Sequence, residues 1–307
     1  MIKLLATRVP LGLVTLMIAV SGTFFLVHGS GSPADQILGT SATTDRVAAL
    51  NHELGLDRPL VSQYGEFLGQ LARGDLGQSL RYEQPNAALI LERLPATVEL
   101  ASIALAIALL VGVPLGCVAA MNEGRFVDRL VSGISLIGVS VPIFWLGLMA
   151  ILFFAVHLGW LPSGQREDLT SAVLPGITLS TLPLAQVARL TRSSMAEAFR
   201  EQFITASRAR GLSTWSIVTN HALRNSAIPI LTILGLQTGL LLSGAVTVEY
   251  VFAWPGLGTL ATEAVGGRDF TLVQAIVVVG VTVFVITNLI VDVLYGIIDP
   301  RIRGGRA

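Results

Sequence analysis

The sequence contains one lysine, Lys3, and one cysteine, Cys117. A phosphate-binding G-x-x-x-x-G-K-[ST] loop needs a lysine well inside the chain to reach the nucleotide phosphates. With Lys3 as the sole lysine no such loop exists, which excludes ATP hydrolysis by that route. Cys117 cannot form an internal disulfide, and it sits in an apolar run, where it reads as a small buried side chain. Charge is also scarce: 13% of the 307 residues are charged, against about 25% in an ordinary soluble domain. Twenty basic residues balance twenty acidic ones, so the basic excess of a nucleic-acid binder is missing. The four histidines, His28, His52, His157 and His221, lie far apart without metal-ligand spacing, and His52-Glu53 lacks the second histidine of H-E-x-x-H. No G-x-S-x-G nucleophile elbow appears either. Nothing in the sequence supports an enzyme.

Apolar residues are present in quantity. They make up 52% of the chain, and mean hydropathy is +0.71. That leaves too little polar surface to cover a water-facing globule, and it excludes disorder. A membrane-spanning helix needs about 20 mostly apolar residues. Six runs qualify: 9–28, 97–120, 130–157, 172–190, 226–247 and 272–297. Pro114, Pro142, Pro183 and Gly280 fall inside them, which spanning helices tolerate when neighbours re-satisfy the backbone. The fold expected is all-α, with six transmembrane helices. The first run is longer than a signal-peptide core and no A-x-A site follows it, so it reads as a retained signal anchor over 1–28.

Arginine placement sets the orientation. With the N-terminus in the cytoplasm, segments 1–8, 121–129, 189–225 and 298–307 are inside and carry thirteen basic residues. The two short outside loops, 158–171 and 248–271, carry two. Both termini are therefore expected inside. The remaining outside segment, 29–96, is too long for a plain connector. It holds turn signals (GSGSP at 29–33, DRP at 57–59, RGDLG at 73–77), and VSQYGEFLGQL at 61–71 has helical spacing. A small cap of short helices is expected there. The inside segment 189–225 is helical in content but interrupted at Gly211, with Phe199, Phe203, Ile204 and Trp215 among its arginines. It reads either as a positive-inside loop near anionic lipid or as two helices joined at a corner that enters a groove on a soluble partner. No internal repeat is evident, although many secondary transporters carry one.

Polar groups within spans are costly and often functional. Those present are Glu99, Gln186, Gln237, Gln274, Asn288 and Asp292. Gln237 lies in GLQTG, 235–239, whose small residues permit close helix approach, and GVPLG at 112–116 has the same spacing. Two readings stay open: packing within the chain, or a seam against a second membrane subunit with Gln237 and Ser243 near a polar path. The loop VEYVFAWPGLGTLATEAVGGRDF at 248–270 places Tyr250, Phe252 and Trp254 as an aromatic belt at headgroup level, or as a gate or docking lip.

Four sets of stretches carry a family resemblance. They are LGLDRPLVSQY (54–64) with RGDLGQSL (73–80); ERLPATVELA (92–101); SVPIFWLGL (140–148) with LGWLPSG (158–164); and RLTRSSM (189–195), HALRNSAIP (221–229), VEYVFAWPGLG (248–258) and VDVLYGIIDPRIR (291–303). With these the chain resembles the inner-membrane permease subunit, B type, of binding-protein-dependent ABC importers in the dipeptide/oligopeptide and nickel branch. In that family a cytoplasmic EAA loop ends in a coupling helix that docks on a separate ATPase. Counting back from Gly211, Thr205, Ala206 and Ser207 stand where the general pattern has E-A-A, and His221, Leu223 and Arg224 stand where it has I, L and P.

The resemblance implies a permease core over 97–297, with its coupling region at 193–225, an extracytoplasmic cap at 29–96 and a cytoplasmic tail at 298–307. The coupling residues it implies are Phe203, Thr205, Ala206, Arg208, Ala209, Arg210, Gly211 and Leu212. Gly235, Gln237, Gly239 and Ser243 are candidates for the pathway or permease seam. Glu249, Phe252, Trp254 and Pro255 are candidates for an outer gate or binding-protein contact. The implied partners are a second homologous permease, two ABC ATPases carrying ATP and Mg, an extracytoplasmic substrate-binding protein and the bilayer, but no nucleic acid. The chain itself is expected to hold no cofactor or metal and to lie in the bacterial inner membrane. The competing class is an autonomous secondary transporter or channel, which would move solute without an ATPase.

Overall fold

The computed structural model describes residues 2–29, 52 and 57–298; the side chains of 2–5, 7, 28, 242–243 and 294–298 lie outside that description. Most of the expected cap's first half, 30–51 and 53–56, and the tail from 299 onward are likewise outside the described residues. Within them the chain is helical, with no β-strand beyond an isolated bridge between Gln78 and Pro85. Four helices are long and apolar enough to cross a membrane, or up to six if each of two bent pairs is one span.

The elements run α1 (Ile2–Gly29), α2 (Leu60–Ala72), α3 (Asn86–Met121), α4 (Phe126–Ser140), α5 (Ile143–His157), α6 (Val173–Arg200), α7 (Gln202–Ala209), α8 (Leu223–Val251), α9 (Leu257–Gly266) and α10 (Phe270–Ile298). The chain divides into two compact units: Ala96–Pro255 with Met1–Leu5 and Ile286–Ala307, and Ala6–Pro95 with Gly256–Val285.

Two expectations need correction. The run 130–157 is not one straight helix, because α4 and α5 meet at 103°. Pro142 causes this. It has no N–H to continue the ladder and forces Val141 into extended geometry (φ −83°, ψ 130°). The second correction concerns α3, which begins at Asn86, well inside the segment read as loop. The Asn86 amide donates from Nδ2 to the Leu76 carbonyl at 2.8 Å, fixing the turn that launches the helix. The expected helix over 61–71 is present as α2.

In the first unit α6 is the central element. Its span is 67% buried at a mean hydropathy of only 1.3, whereas α1 and α10, at 2.1 and 2.5, are each 11% buried. α6 thus lines the interior of its unit, whereas α1 and α10 expose side chains such as Leu13, Ile18, Leu26, Ile286 and Ile290. Such a surface is stable against lipid rather than water. The GVPLG spacing serves packing within the chain. A Cβ on Gly116 would stand 2.5 Å from Thr191 Cβ and 2.6 Å from the Ala188 carbonyl oxygen, so α3 and α6 touch backbone to backbone there. A Cβ on Gly235 would stand 2.6 Å from Val291 Cγ1, so this end of GLQTG is also filled from within.

In the second unit Leu257, Leu260 and Leu272 pack with Ile90. Asp269 caps α10: its Oδ1 accepts from the Leu272 N–H at 3.1 Å, and Ser79 Oγ donates to its Oδ2.

Candidate functional site

The segment after α6 turns a tight corner. Glu201 is extended (φ −71°, ψ 147°) and ends α6. α7 follows and stops at Gly211, whose φ is +79°. There the Gly211 N–H donates to the Arg208 carbonyl at 2.9 Å and the Leu212 N–H to the Ser207 carbonyl at 3.3 Å. This is a Schellman closure, and the left-handed residue it needs is the reason for glycine. Ser213 then caps the next turn by accepting from the Ser216 N–H at 3.3 Å.

One face of α7 is anchored. Ile204 is fully buried among Cys117, Ala120, Met195, Ala198, Ile217, Val218 and Ala222, and Ser207 is buried beside it. Burial of a side chain the size of Ile204 is worth about 1.5–3 kcal/mol, enough to hold a two-turn helix that would not persist alone. None of the expected coupling residues belongs to that buried anchor. Phe203, Thr205, Ala206, Arg208, Ala209, Arg210, Gly211 and Leu212 are all exposed. Trp215, left out of that set, is 73% exposed and extends the same surface. Its signal was available, since a tryptophan four positions past a corner glycine, in a segment expected outside the spans, has no span to fill.

The intramembrane candidates separate. Gln237 is fully buried in α8 and donates from Nε2 to Gln186 Oε1 of α6. Gly235 is buried, Gly239 is half-buried, and the Ser243 side chain is outside the described residues. Glu99 pairs with Arg166 at 2.6 Å in the first unit.

The residues expected at an outer lip lie mostly inside the first unit. Glu249, Phe252 and Trp254 are at most 1% exposed, and Pro255 is half-buried. Tyr250 alone of the aromatic trio is exposed, at 70%. The reason lies in stretches far apart in sequence. Thr97 Oγ1 donates to Glu249 Oε1 at 2.6 Å, Trp254 Nε1 donates to the Ala96 carbonyl at 3.0 Å, and the Gln165 N–H donates to the Phe252 carbonyl at 2.9 Å. ATVELA, LGWLPSG and VEYVFAWPG therefore converge on one buried knot. Gly164 is essential to it, because a Cβ there would lie 2.1 Å from the Phe252 carbonyl oxygen. Gly164→Ala is expected to cost about 3 kcal/mol and to red-shift emission from the buried Trp254. Gly159→Ala, at φ +63° in open space, should cost only about 1 kcal/mol. Thermal melts in detergent distinguish them, and equal melts would show that the Gly164 contact relaxes freely.

Residues 112–304 match the family model for the binding-protein-dependent transport system inner membrane component, and residues 1–101 match its N-terminal companion. The chain belongs to this transport-permease family. It is 42% identical to the dipeptide transport system permease protein DppB of Alkalihalophilus pseudofirmus, covering 92% of this chain and 93% of that one. It is 38% identical to the di/tripeptide transport system permease protein DppB of Pseudomonas aeruginosa across the whole of both chains. A chain of the MetNI methionine ABC transporter, solved in inward-facing conformations, shares the fold. It does so with a TM-score of 0.60 at 20% identity, over 69% of this chain and 97% of that one. Within the permease family model fall the corner at Gly211, the Gln186–Gln237 pair and two of the three stretches of the buried knot; the third, ATVELA, falls under the N-terminal model.

Sequence reasoning also missed an internal brace. Arg192 of α6 makes a two-point ion pair with Asp128 of α4, Nε to Oδ1 at 2.6 Å and Nη2 to Oδ2 at 2.8 Å. Both residues read as loop charges in the inside segments, and no spacing rule links positions so far apart.

Proposed function

We propose that this chain is the membrane-spanning permease subunit of an ATP-driven ABC importer, forming half of the pathway for di- and oligopeptides delivered by an extracytoplasmic binding protein. The observation that carries the reading is the corner at 203–212. It has one buried anchor and an exposed surface of Phe203, Leu212 and Trp215 flanked by Arg208 and Arg210, in a chain 42% identical to a dipeptide permease. Such a surface suits insertion into an apolar groove with an acidic rim on a soluble partner.

In this reading six spans cross the bacterial inner membrane with both termini in the cytoplasm. Residues 29–96 form an extracytoplasmic cap, 97–297 the permease core and 298–307 a cytoplasmic tail. ATP and Mg bind two partner ATPases, and a second, homologous permease completes the pathway. Closure of the ATPases shifts the corner. The anchored underside, seated on the ends of α3 and α6, passes that shift to the spans. Gln237 and Ser243 lie near the path, and the knot around Glu249, Phe252, Trp254 and Pro255 stiffens its outer end.

The test is a mild-detergent pulldown of the tagged chain from its host, with mass spectrometry of its partners and an ATPase assay. Recovery of a second permease with P-loop ATPases is expected. A chain that purifies alone and moves solute into liposomes without ATP would overturn the reading in favour of a secondary transporter or channel.

A further inference from the structure

Beside the Gln186–Gln237 pair lies a cavity of about 450 Å³, within the usual size of small-molecule sites. It is lined by Ser132 of α4, by Gln186, Arg189, Leu190, Arg192 and Ser193 of α6, and by Ile233 of α8. Its two cations differ. Arg192 is engaged at two points by Asp128 and contributes little net charge. Arg189 has no acidic partner among the described residues. The cavity therefore presents one uncompensated guanidinium. Next to it, Gln186 accepts from Gln237 through Oε1, which leaves the Gln186 amide N–H groups as donors. Gln237 Oε1 is buried without a partner among the described residues, so the pair is not a closed structural unit.

A planar five-donor fork beside an amide matches a carboxylate, which accepts two parallel hydrogen bonds from arginine. One net positive charge matches a singly charged anion better than a phosphate dianion. We infer that this cavity is a cargo subsite in which Arg189 and Gln186 hold the C-terminal carboxylate of a short peptide in transit. The inference rests on the peptide-importer reading above.

The test uses the full permease–ATPase assembly in nanodiscs without the binding protein, so that recognition by that protein does not enter. Equilibrium binding of a labelled dipeptide is compared with that of the same dipeptide carrying a C-terminal amide. Binding of the free acid at least tenfold tighter than the amide is expected, with a loss of about tenfold or more in Arg189→Gln and a smaller one in Arg189→Lys. Co-purification of the ATPases with each variant controls for folding. Equal binding of acid and amide, unchanged binding in Arg189→Gln, or no binding by the wild type would overturn the subsite. Displacement of the dipeptide when phosphatidylglycerol replaces zwitterionic lipid would reassign the cavity to a lipid headgroup and also overturn it. Dipeptide uptake by proteoliposomes with the binding protein separates the two levels. Wild-type failure to import sinks the importer reading, whereas import with unaltered binding in Arg189→Gln sinks the subsite alone.

Discussion

Reversing Arg208 and Arg210 together to glutamate is expected to release the ATPase subunits from the purified assembly and to abolish peptide uptake. Truncating a single arginine anchor at a protein interface commonly costs 2 kcal/mol or more, and setting like charges against each other costs several. Two reversals within one helical turn should therefore weaken association by at least about a hundredfold. The fold should survive. Both side chains are exposed, and the anchor of α7 is the buried pair Ile204 and Ser207. Gly211→Glu is a less clean probe, since it adds charge and also forces a side chain into φ +79°. A Trp215→Ala variant asks whether the apolar part of the surface contributes. Retention of the ATPases at wild-type stoichiometry by the double reversal, with melting unchanged, would move the docking surface elsewhere.

Period and small-residue spacing made much of this molecule legible before any coordinates. The apolar runs located the helices, the interruption at Gly211 marked a corner, and 61–71 marked α2. What stayed hidden depended on partners distant in sequence. Pro142 was visible, but a proline in an apolar run either kinks its helix or is absorbed by it, and only the extended Val141 decides for a 103° bend. Phe252 and Trp254 had the composition of an interfacial belt. Their burial comes from Gly164 and Ala96, which supply close backbone approach and a carbonyl acceptor. The two G-x-x-x-G segments left two readings open. The contacts of Gly116 with α6 and of Gly235 with Val291 assign both to packing within the chain at those positions.

The brace between α4 and α6 yields a large expected loss of stability. Asp128→Ala removes a carboxylate whose side chain is 5% exposed, leaving the Arg192 guanidinium without its partner and the Gly124 N–H without the acceptor it meets at 2.9 Å. Breaking a fully buried pair from one side costs about 3–5 kcal/mol. Arg192 retains 31% of its exposure, so water recovers part of that and about 2–4 kcal/mol is expected. The corresponding fall in melting temperature is roughly 5–10 °C in detergent. Asp128→Ala combined with Arg192→Ala should lose less than the sum of the two single changes, because the second removes the stranded charge. Additive losses would mean that the pair carries no coupling. Asp128→Asn keeps an oxygen for the Gly124 N–H but cancels the negative charge, and so isolates the electrostatic part. In that variant Arg192 becomes a second uncompensated cation on the cavity wall beside Arg189. A less stable assembly that binds the free-acid dipeptide more tightly is then the expected pairing, one that loosened packing alone would not produce.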